Sequence, residues 1–327
     1  MKKFMRSKNF LIGSSLAVLM AGLGAGQMVL GGGAQAQANM APKFEVDPMW
    51  PKPLPNHWVL GSAIGVTVDQ NDHIWIIHRG ASTLDKKEKL IDSNGGDCCT
   101  AAPPVLEFDQ AGNLLRHWGG PGQGYDWPES NHGITVDYKG NVWIGGNGGP
   151  DSHILKFTQD GKFIAQYGKK GARVRQGAAA GSGEGQVAGF VGGSNDPDNF
   201  GRVAKIFVDQ KDNEAFIADG YLNKRVAVLD ADTGKMKRFW GAYGNKPDDT
   251  PMPAYDPAAA PGTPASGHVQ QFRNPVHCAD ESVDRLIYVC DRVNDRMQVF
   301  TTDGKFVKEA YYHTNARSDG SVWDVAF

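Results

Sequence analysis

The chain has 327 residues, with 34 Lys and Arg against 36 Asp and Glu, a formal net charge of −2 that gives no footing for nucleic-acid phosphates. Its 42 Gly, 18 Pro and 8 Trp, with 40% hydrophobic residues and no long polar tract, exclude a disordered or fibrous chain and describe a turn-rich globular one.

In chain order, the first 38 residues stand apart. Lys2, Lys3, Arg6 and Lys8 form a basic start, residues 10–30 are apolar and rich in Gly and Ala, and Ala34, Ala36 and Ala38 offer small-residue cleavage sites. The pattern predicts a secretory signal peptide over 1–38. An uncleaved anchor is the competing reading, because the apolar run is long for a signal. Cleavage would leave 30 basic against 36 acidic side chains, a net charge of −6, and a periplasmic or secreted protein free of the membrane. Residues 39–59 then read as an N-terminal extension and 60–327 as one repeating domain.

The repeat is a pair of apolar runs around a polar turn. Ile64 to Asp69 turns into His73 to His78, and His132 to Asp137 into Asn141 to Gly145. Lys205 to Asp209 turns into Glu214 to Asp219, and His277 to Ser282 into Leu286 to Asp291. Asp69, Asp137, Asp209 and Ser282 are equivalent, in steps of 68, 72 and 73 residues. Each pair is followed by a second, whose turns end in Gly112, Gly161, Gly234 and Gly304, as hairpin loops require. Four strands per unit make a propeller blade, so the fold class is all-β. Insertions at Gly80 to Ala102, Gly168 to Asn199 and Asn245 to Gly267 read as surface loops. Ser321 to Phe327 reads as the inner strand of a fifth blade. Four blades and the start of a fifth leave a disc open, which predicts a C-terminally truncated sequence of a larger propeller.

The cysteines leave alternatives open. Cys98 and Cys99 are adjacent in a Gly/Asp/Ser loop and could pair with each other, pair elsewhere or stay free. Cys278 and Cys290 face each other across the turn at Val283 to Arg285, as a disulfide or as two packed thiols.

His132 and His277 occupy the same slot of the repeat, each at the start of an inner strand and fourteen residues before the end of the next, at Gly146 and Asp291. The first two strands of a blade are antiparallel, so the start of one and the end of the other share a face of the disc. Arg79 and Arg292 follow the ends of second strands, and Tyr221 lies two residues past Asp219. Five groups from four blades therefore point to one mouth of the channel. They offer a neutral-imidazole metal site, guanidinium groups suited to a carboxylate, and a phenol suited to proton transfer. Histidines in alternate blades imply a third ligand from a sixth blade, beyond Phe327. Blander readings stand beside these. A lone His at a strand start is usually a cap on a loop carbonyl, Arg79 or Arg292 could brace blades through Asp219 or Asp291, and Tyr221 could be a packed ring. His57, His73, His78, His117, His153, His268 and His313 fall outside the slot and read as structural or surface groups.

Five stretches then carry a resemblance: Ile77 to Gly80, His132 to Asp137, Ala218 to Arg225, Asn274 to His277, and Cys290 to Phe300. In this order the chain resembles the NHL-repeat propellers, and within them the peptidyl-alpha-hydroxyglycine alpha-amidating lyases. The resemblance implies a six-bladed NHL-type β-propeller with a zinc ion held by three histidines, of which His132 and His277 fill two positions. It implies Tyr221 as general base, Arg79 and Arg292 on the substrate, and a structural calcium with a backbone carbonyl from Ile134. The implied reaction cleaves a carbinolamide, a small-molecule or peptide substrate with a carboxylate, to an amide and glyoxylate. A non-catalytic NHL propeller that binds a protein or peptide is the rival, and a calcium-dependent lactonase-type propeller a third reading. The chain departs from the family's animal members at Leu222, Tyr288 and Val299, where they carry cysteines.

Overall fold

The computed structural model describes residues 43–84, 99–173, 193–256, 258, 269–316 and 318–327. The predicted signal peptide, His268 and Cys98 lie outside them. Met1–Pro48 and Met49–Phe327 form separate units; residues 43–48 of the first contain no strand, and the second carries the fold. No described helix is long and apolar enough to cross a membrane.

Eighteen strands occur among the described residues. β1 (Trp58–Val59) precedes the first four-stranded sheet, formed by β2 (Ser62–Val68), β3 (Ile74–Arg79), β5 (Val105–Phe108) and β6 (Leu114–Trp118); β4 (Thr100–Ala101), in the first insertion, pairs parallel with β1. The second sheet is β7 (Asn131–Val136), β8 (Asn141–Gly146), β9 (His153–Thr158) and β10 (Phe163–Gly168). The third is β11 (Val203–Asp209), β12 (Glu214–Asp219), β13 (Arg225–Asp230) and β14 (Met236–Trp240), and the fourth β15 (Val276–Glu281), β16 (Leu286–Asp291), β17 (Arg296–Thr301) and β18 (Phe306–Tyr311). Each sheet is antiparallel in chain order, and the inner strands β2, β7, β11 and β15 pack in sequence, as blades of a propeller do. The cores lie between successive sheets. Trp75, Ile134 and Phe157 fill the first gap, Trp143, Ile206 and Ile217 the second, Phe216, Val289 and Phe300 the third.

The repeated residues explain the hairpins. At the inner turn, Asp137 accepts the backbone N–H groups of Lys139 and Asn141 and the indole N–H of Trp143; Asp69 does the same for Asn71, His73 and Trp75. A carboxylate folded back on its own turn closes the loop and satisfies donors that the ladder leaves free. At the outer turn, Gly161, Gly234 and Gly304 have φ between 70° and 87° and lie flat against Trp118, Tyr167 and Trp240, the aromatic ends of the preceding blades. A Cβ at Gly234 would stand 1.9 Å from the Tyr167 ring. Gly112 in blade one meets Trp50 instead, so residues 49–59, expected as an extension, supply the aromatic that a preceding blade supplies elsewhere.

Every inner strand carries a β-bulge near its start, with register shifts between Ala63 and Gly65, Asn131 and Ile134, Val203 and Lys205, and Val276 and Cys278. Bulges re-aim a side chain that the ladder would otherwise constrain. The residues at the bulge are Ile64, His132, Ala204 and His277. The histidine slot is thus a bulge position, filled by His in blades two and four.

Cys278 pairs with Cys290 in the ladder and the two form a disulfide, with Cα atoms 4.8 Å apart. Cys99 is also disulfide-bonded. Tyr288 and Val299 face each other directly between β16 and β17, so two of the departures from the lyase pattern are cross-strand neighbours. Residues 321–327 differ from expectation, because they make no ladder and form no strand. Val322 and Val325 nonetheless pack on Cys278 and Cys290, which lays the segment beside β15, where a next inner strand would run.

Candidate functional site

His132 and His277 converge. Their rings lie 5.2 Å apart, centroid to centroid, and both are half-buried. Each Nδ1 donates to a backbone carbonyl, from His132 to Ala204 at 2.8 Å and from His277 to Trp323 at 2.6 Å. A carbonyl oxygen only accepts, so each neutral ring carries its proton on Nδ1 and presents a lone pair at Nε2. The pattern repeats across blades: Ala204 is the bulge residue of the next inner strand, and Trp323 takes the same place in the segment beside β15.

Tyr221 stands between the two rings. It is 7% exposed, in the loop after β12, with its N–H donated to Arg202. Its phenolic oxygen lies 2.9 Å from Nε2 of His132 and 3.2 Å from Nε2 of His277. The phenol has one proton for two nitrogen lone pairs. The group is therefore electron-rich, and a cation that accepts both nitrogens fits it.

Two guanidinium groups flank this point. Arg292, 2% exposed, approaches the Tyr221 oxygen at 3.4 Å through Nη1, stacks over the Trp323 ring at 4.2 Å and reaches Asp319 at 3.6 Å. Arg79 donates to the carbonyl of Asn131 at 3.0 Å and to Asn147 at 2.7 Å. Burial lowers its pKa, and it lies near enough to Tyr221 for that phenol's charge to act against the shift. Neither arginine takes Asp219 or Asp291, which are the buried partners of Arg225 and Arg296 within their own blades. The Asp, Asn and Arg positions of the last two blades thus form a loop clamp, with Asn223 and Asn294 donating to the same carboxylates. That clamp holds the turns that carry Tyr221 and Arg292.

Burial, then the neighbouring imidazole and the two arginines, pull His132 down to about 3; burial and Arg292 pull His277 down to about 4. Both rings are neutral at physiological pH, the form that binds metals. Below them a cavity of about 340 Å³ is lined by Ile64, Gly65, His132, Ile134, Lys205 and His277. Ile134 thus lines the channel while its side chain, 3% exposed, sits between the first two blades.

The structure brings His132, His277, Tyr221 and Arg292 into direct contact and sets Arg79 at the rim. Sequence reasoning missed the orienting carbonyls of Ala204 and Trp323 and the two asparagines that hold Arg79. The repeat register could have found the carbonyls, since both residues occupy the histidine slot. Among the remaining described histidines, His73 pairs with Glu107 at 2.8 Å, His78 contacts Gly61 and Pro103, and His153 contacts Asp126.

No family model matches the chain. It is 23% identical over 262 residues to a mouse protein described as peptidyl-glycine alpha-amidating monooxygenase, and 23% identical over 263 residues to its rat counterpart; each alignment covers 79% of this chain and 22% of the relative. The chain spans about a fifth of the length of these relatives. Among solved structures, a catalytically inactive virginiamycin B lyase from Staphylococcus aureus with quinupristin aligns with TM-score 0.39 and 15% identity, covering 80% of this chain and 72% of that one. A streptogramin B lyase aligns with TM-score 0.39 and 14% identity, over 78% and 70% of the two chains. The sequence similarity and the blades together describe a propeller-type chain weakly related to an amidating enzyme.

Proposed function

We propose that this chain is a zinc-dependent, lyase-like propeller that cleaves the C–N bond of a peptidyl-alpha-hydroxyglycine or related carbinolamide, releasing an amide and glyoxylate. The observation that carries the reading is the pair of Nε2 lone pairs, each fixed by an Nδ1–H bond to a carbonyl, facing one phenol. His132 and His277 would hold the zinc with a third ligand that the described residues do not supply, and the ion would make the substrate hydroxyl more acidic. A six-bladed ring, a calcium at the Ile134 carbonyl, and export to the periplasm or beyond belong to the same reading.

The chain's own groups fit each step. Arg292, with Arg79 at the rim, receives the substrate carboxylate through charge-assisted hydrogen bonds. Tyr221, as phenolate stabilised by Arg292, takes the hydroxyl proton. The oxygen's electron pair forms the carbonyl of glyoxylate, the C–N bond breaks with its electrons on nitrogen, and the proton that Tyr221 took passes to that nitrogen to complete the amide. No electrons leave the system, so no redox cofactor is required.

The test is glyoxylate release from an N-acyl-alpha-hydroxyglycine by the zinc-loaded protein. Tyr221→Phe should slow turnover about 10²–10⁴-fold, the usual contribution of a positioned base. Equal rates in the two proteins, or no glyoxylate above background from the wild type, would reject the reading in favour of a binding propeller.

A further inference from the structure

The two carbonyls that orient the histidines belong to separate pieces of chain, β11 and the segment after β18. One side chain joins them. Lys205 follows Ala204, and Asp324 follows Trp323; the Lys205 ammonium lies 2.6 Å from Asp324 Oδ1 and donates to the Val325 carbonyl at 3.4 Å. The same ammonium lies 3.1 Å from Asp280, three residues beyond His277 on β15. Burial pulls the Lys205 pKa down, but Asp280 and Asp324 outweigh it, so the charge is retained. One cation therefore ties the strand that orients His132, the strand that carries His277 and the segment that orients His277.

We propose that Lys205 is a positioning residue whose bridge to Asp280 and Asp324 fixes the Ala204 and Trp323 carbonyls relative to each other, and thereby the convergence of the two imidazole Nε2 atoms. This rests on reading the histidines as metal ligands. The segment with Trp323 has no ladder to hold it, so its carbonyl depends on side-chain ties. Asp324 is 58% exposed, and solvent screens an ion pair with such a partner, which leaves it little part in stability. Its effect should thus appear in the geometry of the site more than in the melting temperature.

Three variants of the 327-residue protein test this: Lys205→Met, Lys205→Arg and Asp324→Asn. In the metal-free protein, ¹⁵N NMR of the imidazoles should show wild-type His132 and His277 as single Nδ1–H tautomers. Lys205→Met should give tautomer mixtures, Lys205→Arg should restore the wild-type spectrum, and Asp324→Asn should affect His277 more than His132. Zinc affinity, read by chelator competition, should fall about 10–100-fold in Lys205→Met, the range typical of groups that orient ligands, and recover to within about threefold in Lys205→Arg. Unchanged tautomers and unchanged affinity in a folded Lys205→Met protein would overturn the proposal, as would unchanged tautomers in Asp324→Asn should Lys205→Met fail to fold. Wild-type protein that binds no zinc would sink the zinc reading alone, while the tautomer measurement still decides the role of Lys205.

Discussion

At the scale of residues, the site is a problem in counting protons. Two imidazoles spend their N–H groups on carbonyls, and a phenol has one hydrogen for both remaining nitrogens. Burial makes the charged imidazolium unfavourable, helped at His132 by the neighbouring imidazole and both arginines and at His277 by Arg292, which holds His132 at about 3 and His277 at about 4. The consequence for the metal-free protein has a definite sign. An unfolded histidine titrates near 6.5, so below that pH the unfolded chain binds more protons than the folded one. Stability from these rings is complete above about pH 6.5 and is lost as pH falls toward 4 and then 3, by at most ~1.4 kcal/mol per ring per pH unit. NMR titration of the ring Hε1 signals should show no midpoint between pH 5 and 8, and denaturation should show less acid sensitivity in His132→Gln; a midpoint near 6.5 for either ring would contradict the electrostatics. The slot of these histidines was legible in the sequence because repetition exposes register. Their backbone partners carry no side-chain signature, since Ala204 and Trp323 act through carbonyls that any residue possesses.

At the scale of elements, the bulge decides which side chains reach the channel. Its presence follows from strand pairing, and a one-residue surplus against a partner strand is invisible in either strand alone. The turns were far more legible: Asp69 and Asp137 bind their own loops, and Gly161, Gly234 and Gly304 take the left-handed backbone on which the outer hairpins depend. Residues 321–327 have the apolar pattern of a strand, but among the described residues they make no ladder, and a pattern along one segment does not show whether it pairs. Inner turns also meet between blades. Arg285 joins Asp209 at 2.7 Å, Asp212, and Glu281 at 2.8 Å, three carboxylates around one guanidinium. Burial and the nearby Asp209 charge push Glu281 up to about 7, with Arg285 opposing. The folded state therefore holds this proton more tightly than the unfolded chain. Its contribution is complete below about pH 4.5 and is lost as pH rises through 7, a change on the order of 1–3 kcal/mol. Glu281→Gln keeps the neutral form at every pH, so it should raise the melting temperature more at pH 8 than at pH 4.5. Equal shifts at the two pH values would show that the carboxylates do not compete.

At the scale of the whole molecule, each blade contacts its neighbours, so stability is a chain of nearest-neighbour terms, as in other repeat architectures. The position two residues past the histidine slot reports whether an inner strand is covered. Ile134, Ile206 and Ala279 are 3%, 2% and 1% exposed there, whereas Val66 on β2 is 66% exposed. The sequence pattern alone made all four look alike, because a valine that faces solvent has the same place in the repeat as an isoleucine under a blade. Truncation costs should separate them. Ile206→Ala removes buried methylenes between two blades and should cost about 2–5 kcal/mol, while Val66→Ala in the same arrangement should cost less than about 1 kcal/mol. Urea denaturation of the two variants measures the difference directly, and differences between variants hold better than absolute stabilities for a chain of several blades. Comparable costs at the two positions would mean that β2 is covered in solution, either by another part of this chain or by a second copy of it. Sedimentation of the Val66→Ala protein would then distinguish these, because loss of a dimer lowers the mass of the particle and loss of an intramolecular contact does not.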